Sequence, residues 1–492
     1  MRAGRRRRLC RIPAGAPEPG RRGQPAVSGA LGARTAAEVL AHLHAHDIGT
    51  VVIGGSDTHG VMRGKRMPIE QLPRILNHGM PVCDVFWVMH VDESDLVARP
   101  DGHRGYFPTE TEGYPDILGV PDLGTLRVVP WHHRTALLLC DWALHDGHGP
   151  VPISPRAVLR RVVERATDLG YQPLSALELE FYLLREKAGT AHRKRAEELV
   201  PLQEVPSTYG VVMGSLQEEI GELIRGHMLG YGLPVEACNP ETGPGQFEIT
   251  LRYGESLRAA DDAFLFKSAI KEVAAQQDLL ATFMAKPSSD WAGNSCHIHM
   301  SLRDTDGAAL FFDREAPDQL SNTLRHFTGG ILASMREFTA LMAPTPNSYR
   351  RYVPYSWAGT TTTWGVENRS VGVRIIRDGE SGTRLEHRQP GGDANPYLAT
   401  AAALAGGLHG LAQEIDPGEM TVGDVYGAPP GRHTGLPTTL GEALDLLEDS
   451  AVAREWFGDD FVEHFVAMKR AELQAQSLAV TDWEVARYLE SI

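Results

Sequence analysis

The chain has 492 residues and a mass of 53.8 kDa, with 42% hydrophobic and 23% charged residues. This composition excludes a collagen, a mini-protein and a wholly disordered chain, and the length suffices for one large core or two domains. The formal net charge of −15 is uneven, because residues 1–34 carry nine arginines and one acid and the remainder carries −23. A body that acidic predicts no binding to nucleic acid or to an anionic membrane, and it suits cationic ligands.

Five cysteines, at positions 10, 83, 140, 238 and 296, form no CxxC pair. An odd number at long spacings argues against a disulfide scaffold or a zinc finger and favours a reducing, cytoplasmic compartment. The most apolar run, residues 396–412, contains His409 and is expected to form a buried, Ala-rich helix rather than a membrane span. The arginine-rich start lacks the apolar segment of a signal peptide.

The order of elements predicts two domains after an extension. Residues 1–34 are rich in Arg, Gly and Pro without apolar periodicity, so we expect a disordered basic extension. A Gly/Pro-rich stretch at 146–155 predicts a boundary near residue 150, which gives domains 35–150 and 151–492.

Local patterns predict the first elements of each domain. In the first, we expect a helix over 36–46 and strands over 48–54 and 61–67, joined by a turn. In the second, Ser154 is a suitable N-cap and Pro155 a suitable first residue for a helix that ends near Leu169.

Three segments place polar side chains of catalytic types on one face of a strand, since residues i and i+2 share a face. In ALELEFYLL (176–184), leucines and a phenylalanine face one way, while Glu178 and Glu180 face the other. Two carboxylates this close raise each other's pKa unless a cation lies between them. A solvent-exposed strand face is the alternative.

The other two segments carry histidine and arginine. CHIHMSL (296–302) puts His297, His299 and Ser301 on one face, which predicts a metal or phosphate site, although a single such histidine is usually structural. RLEHR (384–388) does the same with Arg384, Glu386 and Arg388. This pattern suits either an ion-pair ladder or an anion clamp around a metal ligand.

Further charged residues extend this set. Glu236 and Glu248 flank a Gly/Pro turn that could bring them together, and Arg351, Arg369 and Arg374 add positive charge. The last two lie in 368–374, a segment that is otherwise apolar and strand-like. For each arginine, an exposed solubilising role is the alternative. Taken together, the carboxylates, histidines and arginines predict divalent cations that bridge phosphates, with guanidinium groups to neutralise a transferred phosphoryl group. The chain contains no GxxxxGK[ST] phosphate loop and no kinase or dinucleotide fingerprint.

From about residue 35 to its end, the chain resembles the glutamine synthetase family. The resemblance rests on the number and order of eight motifs: DTHG–RGK (57–65), ELEF (178–181), GPGQFE (243–248), FMAKP (283–287), HIHMSL (297–302), NSYRR (347–351), NRS (368–370) and RLEHR (384–388). It implies an α+β fold with an N-terminal β-grasp domain and a large catalytic domain, in which helices flank a curved antiparallel sheet. It also implies stacked-ring homo-oligomers, commonly dodecamers, with ATP and two or three Mg²⁺ or Mn²⁺ at active sites between subunits.

The resemblance assigns roles to individual residues of this sequence. One metal would be held by Glu180, Glu236 and Glu248, and the second by Glu178, His297 and Glu386. The expected nucleotide contacts are Tyr253, His299, Ser301 and Arg384. The remaining matches are Gly293, Arg351 and Arg388 for glutamate, Arg369 and Arg374 for phosphate, and Asp57 as the acid that a neighbouring subunit contributes to deprotonate the attacking nitrogen.

The implied reaction has two steps. ATP phosphorylates the γ-carboxylate of glutamate, and a nitrogen nucleophile then displaces phosphate from the γ-glutamyl phosphate. Metal ions and arginines stabilise charge in both steps.

Two departures from the family pattern bear on the nucleophile. Ammonia-using members have a Glu where this chain has Trp357, in VPYSWAG (353–359), and an indole offers ammonium no carboxylate. An indole packs instead on the alkyl part of a larger amine, or on a cation. The segment AGNSCH (292–297) also lacks the usual first Asn of its motif.

With these departures the chain resembles the glutamate–amine ligase branch of the family. That branch makes γ-glutamylamides of polyamines, ethanolamine, methylamine or similar amines. Glutamine synthetase itself, with Trp357 as loop packing, is the alternative, and a guanidino kinase and a non-catalytic relative are more distant ones. Tyr426 lies roughly where some bacterial members carry a regulatory adenylylated tyrosine, but its context differs and we expect no such regulation.

Overall fold

The computed structural model describes residues 35–94, 105–106, 113–145, 149–429 and 431–492. The predicted extension, residues 1–34, lies outside these ranges. Within the described part of the chain, no helix combines the length and the apolarity that crossing a membrane requires.

The N-terminal part is built on a six-stranded sheet with the strand order β2-β1-β6-β4-β3, in which β5 pairs with β6. β1 and β6 pair in parallel and the other pairs are antiparallel. The strands are β1 (Thr50–Ser56), β2 (Met62–Pro68), β3 (Met80–Cys83), β4 (Asp116–Pro121), β5 (Arg127–Val128) and β6 (Thr135–Ala143).

A second sheet of nine strands carries the rest of the chain, with the order β13-β14-β15-β12-β7-β9-β8, while β10 and β11 pair with β7. Among the described strands, β13 and β14 pair in parallel and all other pairs of this sheet are antiparallel. The strands are β7 (Gln172–Leu184), β8 (Val235–Pro240), β9 (Gln246–Leu251), β10 (Gly254–Glu255), β11 (Leu280–Thr282), β12 (Cys296–Arg303), β13 (Trp364–Val366), β14 (Val373–Ile376) and β15 (Arg384–His387).

Fourteen α-helices lie within the described residues. They are α1 (Ala36–Ala45), α2 (Leu72–His78), α3 (Pro155–Asp168), α4 (Val211–Ser215), α5 (Glu218–Gly230), α6 (Ser256–Gln276), α7 (Asn322–Ser334), α8 (Thr339–Met342), α9 (Gly379–Gly382), α10 (Pro396–Ala412), α11 (Leu440–Glu448), α12 (Ala451–Phe457), α13 (Asp459–Leu478) and α14 (Asp482–Tyr488). Short 3₁₀ turns occupy Ile69–Gln71, Asp84–Val88, Leu123–Thr125, Ala191–Arg193, Ala196–Glu198 and Ser348–Arg351.

The structure confirms most of the locally predicted elements. Helix α3 begins at Pro155 as expected, although the Ser154 side chain makes no capping hydrogen bond. Helix α10 is buried along nearly its whole length, as its alanine-rich sequence predicts. The strand-like interpretation of residues 368–374 is wrong in its first half, because Asn368 turns back on Ser370 and the strand begins only at Val373.

The polar face of the second sheet depends on the alternation of apolar and charged side chains along β7. Its apolar residues, Leu177, Leu179, Phe181 and Leu183, are fully buried in the main hydrophobic core. This burial fixes the orientation of the strand, since a shift of one residue would place these side chains on the other face. Glu178 and Glu180 are therefore held on the face opposite the core.

A buried charge network joins the two sheets. The Arg156 guanidinium, on α3, donates to Asp122 at 2.7 Å, to Asp141 at 2.7 Å and to Asp261 at 2.8 and 2.9 Å. Asp122 and Asp141 belong to the N-terminal sheet region, whereas Asp261 lies on α6 behind the second sheet. Tyr397 donates a further hydrogen bond to Asp261 at 2.8 Å, so one arginine organises acids from both parts.

Replacing Arg156 by Met should destabilise the protein strongly, because the aliphatic stem remains while buried Asp261 loses its cation. Removing one partner of a buried ion pair typically costs about 3–5 kcal/mol. Urea denaturation measures the change in the free energy of unfolding.

Arg160→Met is the matched control, because Arg160 pairs with Asp141 at 2.7 Å from a partly exposed position. Its expected cost is below about 1 kcal/mol. Equal losses for the two variants would contradict the central role of Arg156.

Candidate active site

The site lies on four adjacent strands, β9, β7, β12 and β15, whose registers bring polar residues face to face. Glu180 on β7 is opposite Glu248 on β9, and Glu178 is opposite His297 on β12. His299 is opposite Glu386 on β15. Residues opposite each other in antiparallel strands lie on the same face of the sheet, so these six side chains form one cluster.

The first half of the cluster consists of Glu178, His297 and Glu386, whose ligand-type atoms lie within 4.8 Å of one another. His297 Nδ1 is 3.3 Å from a Glu178 oxygen and 3.4 Å from a Glu386 oxygen. His299 Nε2 is 2.9 Å from the other Glu178 oxygen. Burial alone would raise the pKa of Glu178, but the contacts with the two histidines hold that pKa well below its usual range.

The second half consists of Glu180 and Glu248, again with His297, within 4.8 Å of one another. Burial raises the pKa of Glu180 to about 7, with a further contribution from Glu241. Burial also raises the pKa of Glu248 to about 9, together with repulsion from neighbouring carboxylates. These carboxylates are short of positive charge in the protein alone.

Arginines surround the Glu386 end of the cluster. Arg388 pairs with one oxygen of Glu386, and Arg374 Nη1 lies 3.1 Å from the other. Burial would raise the pKa of Glu386, but Arg388 and the two histidines lower it below its usual value. Arg384 Nε is 3.3 Å from His299 Nδ1, which places it at the same edge of the cluster.

Two predicted glutamate contacts lie beneath this surface. The Arg351 guanidinium is buried and donates to the carbonyls of Gln389, Arg388 and Pro390 at 2.8, 3.2 and 3.1 Å, so it braces the chain after β15. A side chain at Gly293 would clash, because a Cβ there would lie 2.6 Å from Arg351 Cγ. Gly293 thus allows the close approach of Arg351.

Glu236, which the family resemblance assigned as a metal ligand, is not among the clustered residues. It is exposed and lies at a β-bulge between Val235 and Ala237. Glu241, just after β8 ends at Pro240, is instead the acid from this segment that acts on the cluster. It raises the pKa of both Glu180 and Glu248, and burial raises its own pKa, with Glu178 contributing. The signal in the sequence was the Gly/Pro turn at 241–245, which folds the strand end back onto β9.

Asp57 also lies elsewhere. Its carboxylate is fully buried at the turn between β1 and β2, where it accepts hydrogen bonds from the His59 and Val61 amides at 2.9 Å and from Arg63 Nε at 2.8 Å. The role of Asp57 as a proton acceptor in an adjacent active site stays a prediction.

The remaining predicted residues are at the edges of the site. Ser301 continues the polar face of β12, and Tyr253 is 58% exposed just after β9. Arg369 is exposed in the loop before β14. Tyr209 was not predicted, yet burial raises its pKa together with Glu248 and Glu241, while Arg369 lowers it.

Trp357 lies at the rim of the site. Its indole is 56% exposed, and its backbone oxygen accepts a hydrogen bond from Arg388 Nη2 at 3.2 Å. Arg388 in turn pairs with Glu386, so the position of Trp357 is linked to the cluster through one arginine.

The cluster has the chemistry of a divalent metal site. Carboxylate oxygens are the preferred ligands of Mg²⁺ and Mn²⁺, and imidazole is a common additional ligand. His297 Nε2 is buried and has no hydrogen-bond partner, which is the state expected of a nitrogen reserved for a metal ion. The raised pKa values of Glu180 and Glu248 show that these carboxylates lack neighbouring positive charge. The residues present therefore fit a divalent metal ion.

Comparisons with known proteins agree with this geometry. The family model for the glutamine synthetase catalytic domain matches residues 152–488. Glutamate–isopropylamine ligase of Pseudomonas sp. is 39% identical over 448 residues, 91% of this chain and 96% of that protein. Gamma-glutamylethanolamide synthetase of Streptomyces coelicolor is 39% identical over 454 residues, 92% and 95% of the two chains.

Among solved structures, one described as "GmaS/ADP complex" superposes with a TM-score of 0.79 at 28% identity, and it covers 92% of this chain and 99% of its own. The ligand-free form of GmaS gives 0.78 at 29% identity. The predicted α+β fold with a glutamine-synthetase-type catalytic sheet is confirmed; the β-grasp assignment and the domain limits stay predictions.

Fold and site together define a ligase whose carboxylate-rich sheet suits divalent cations. The chain belongs to the glutamine synthetase family, as its motifs predicted. Ligases of this family use ATP and divalent metal ions to join the γ-carboxyl group of glutamate to nitrogen, and the family forms oligomers.

Glu241→Gln and Glu236→Gln test which acid completes the second half of the cluster. In metal-free protein, Glu241→Gln should raise the melting temperature, because it removes a repelling charge. Millimolar Mn²⁺ should stabilise wild-type protein by binding the folded state, and Glu241→Gln should reduce that gain.

Glu236→Gln is the matched control and should behave as wild type with and without Mn²⁺. Differential scanning fluorimetry in EDTA and in Mn²⁺ measures both effects. Loss of the Mn²⁺ response in Glu236→Gln alone would restore the original assignment.

Proposed function

We propose that the protein ligates the γ-carboxylate of glutamate to a primary amine, through a γ-glutamyl phosphate formed from ATP. The observation that carries the choice of an amine is Trp357. Its exposed indole lies at the rim of the site, and its backbone oxygen accepts a hydrogen bond from Arg388. The sequence pattern of ammonia-using members has a glutamate at this position.

The metal sites follow from the two halves of the cluster. Glu178, His297 and Glu386 would hold one divalent cation, and Glu180 and Glu248, with Glu241 in place of Glu236, would hold the other. The cations, when bound, supply positive charge that draws phosphate oxygens and polarises the transferred phosphoryl group. The proposed contacts to ATP are His299, Ser301 and Arg384, with Tyr253 packing on the base.

The arginines supply fixed positive charge around the reacting groups. Arg374 lies on the edge of the cluster beside Glu386, and Arg369 is exposed in the loop that precedes β14. We assign these two to the phosphoryl group, where preorganised guanidinium groups stabilise developing negative charge. Arg388 is assigned to glutamate, whereas Arg351 and Gly293 position the backbone beneath it.

The relatives support this choice. Two of the most similar proteins are named for the amines isopropylamine and ethanolamine, and a third, from Acinetobacter sp., is named gamma-glutamylanilide synthase at 32% identity. Each name describes that relative only. What they share with this chain is the family and nearly the full length.

Glutamine synthetase using ammonia is the second candidate. It is favoured by relatives of that name, such as the Thermotoga maritima protein, 36% identical over 382 residues.

We also propose a cytoplasmic homo-oligomer, with a dodecamer as the expected form. The oligomeric nature of the family supports the homo-oligomer. The absence of CxxC pairs supports a reducing compartment. Native mass spectrometry should give about twelve times the 53.8 kDa chain mass. A monomer that is fully active at assay concentration would contradict this proposal.

Trp357→Glu is the direct test of the nucleophile. The new carboxylate should favour ammonium and lose packing against an alkyl group, so kcat/KM for ammonium should rise while that for alkylamines falls. Phosphate release with glutamate, ATP and Mg²⁺ measures both.

Trp483→Glu is the matched control, since Trp483 is similarly exposed at 61% but lies on α14, outside the proposed site. It should leave both rates unchanged. Wild-type enzyme that saturates with ammonium at low concentration and ignores every amine would instead establish the second candidate.

A further inference from the structure

Three aromatic side chains gather beside the arginines of the site. The ring of Tyr426 lies 5.0 Å from that of Tyr355 and 6.3 Å from that of Trp357, the latter edge to face. Tyr355 is 64% exposed, so this group, which we call the aromatic rim, presents apolar surface to solvent. Exposed aromatic surface in a monomer commonly marks a binding site.

The backbone holds two of these side chains in an unusual conformation. Tyr355 and Trp357 have φ angles of +63° and +60°, in the left-handed region that bulky side chains rarely adopt. Such strain persists only where the surroundings enforce it, and it concentrates at functional sites. Here Arg388 anchors the Trp357 carbonyl, and Gly359 follows in close contact, because a Cβ there would lie 2.8 Å from Gly372 Cα.

Tyr426 is anchored from the opposite side. The amide of Val425, which is buried, donates to Ser370 Oγ at 3.1 Å, and the amide of Tyr426 donates to Asp424 Oδ1 at 2.9 Å. Ser370 follows Arg369 in sequence, so the segment that carries Tyr426 is fixed to the loop of a phosphate-assigned arginine. Tyr426 thereby forms a fixed wall against which Tyr355 and Trp357 stand.

The charges near the rim decide which kind of ligand it suits. Burial raises the pKa of Tyr426, while the backbone amide of Trp357 and the guanidinium groups of Arg388 and Arg351 oppose that rise, so positive charge faces the inner side of the rim. Asp424 is the acid that acts on Tyr426 among the described residues, and it already accepts the Tyr426 amide. A second ammonium group would face two guanidinium groups, whereas an alkyl group would gain apolar contact.

We propose that the aromatic rim binds the apolar substituent of a primary monoamine and that Tyr426 is its specificity-determining residue. This inference rests on the proposed function. It restricts the expected substrates to primary amines with an uncharged, apolar substituent. Tyr426 acts by packing, both on the substituent and on Trp357.

Butylamine and 1,4-diaminobutane are suitable probes, because they share a four-carbon chain and differ by one ammonium group. Wild-type enzyme should prefer butylamine in kcat/KM. Tyr426→Ala should lower kcat/KM for butylamine by roughly three- to tenfold relative to that for ammonium, the size expected for loss of an aromatic contact. Tyr426→Phe keeps the ring and should retain the preference.

Tyr488→Ala is the matched control, since Tyr488 packs edge to face on Trp483 at 5.7 Å, away from the site. It should not change the ratio between amines. The melting temperature of each variant separates misfolding from altered specificity, and Tyr426→Phe remains informative if the alanine variant does not fold.

Three results would overturn the inference while leaving amine ligation intact: a preference for 1,4-diaminobutane, an unchanged butylamine-to-ammonium ratio in Tyr426→Ala, or loss of the preference in Tyr426→Phe. The first of these would point to Asp424 as partner for a second cation. Absence of phosphate release with every amine, and with ammonium, would instead refute the proposed function itself.

Discussion

Repulsion among buried carboxylates is the interaction on which the site depends. Five glutamates, Glu178, Glu180, Glu241, Glu248 and Glu386, act on one another across one face of the catalytic sheet. The hydrophobic core on the other face of β7 prevents the strand from shifting to relieve this repulsion. The fold therefore holds these carboxylates close together, and added positive charge stabilises them. Hard divalent cations supply such charge.

That demand is unequal across the cluster. At one end, His297, His299, Arg374 and Arg388 hold the pKa values of Glu178 and Glu386 below their usual values. At the other end, the pKa of Glu180 rises to about 7 and that of Glu248 to about 9. Cationic side chains thus balance the carboxylates at the end that carries the arginines. The carboxylates on the β9 side depend more on a metal ion for their positive charge.

The fold class was implied by the family resemblance, whereas the polar faces of single strands could be predicted from local periodicity. A repeat of two residues was enough to place Glu178 beside Glu180 and His297 beside His299, with hydrophobic neighbours on the opposite face. Strand register is not local, so the pairing of Glu180 with Glu248 and of His299 with Glu386 needed the structure. Family motifs filled that gap where the match was unambiguous.

Sequence patterns were least informative where the backbone departs from regular geometry. A bulge next to Val235 leaves Glu236 exposed, whereas Glu241, in the turn that follows, contributes to the raised pKa values of Glu180 and Glu248. Asp57 matches a family motif, and that motif alone does not predict its hydrogen bonds with Arg63, His59 and Val61. Contacts between distant segments, such as Tyr426 with Trp357, have no signature in either segment alone.

Product analysis from a competition between nucleophiles tests the central claim most directly. The enzyme would be incubated with glutamate, ATP and Mg²⁺ in the presence of equal concentrations of ammonium and butylamine, and products would be separated by mass spectrometry. An amine ligase should form γ-glutamylbutylamide in excess over glutamine, because Trp357 offers an alkyl contact and no carboxylate. Glutamine as the sole product would contradict this account.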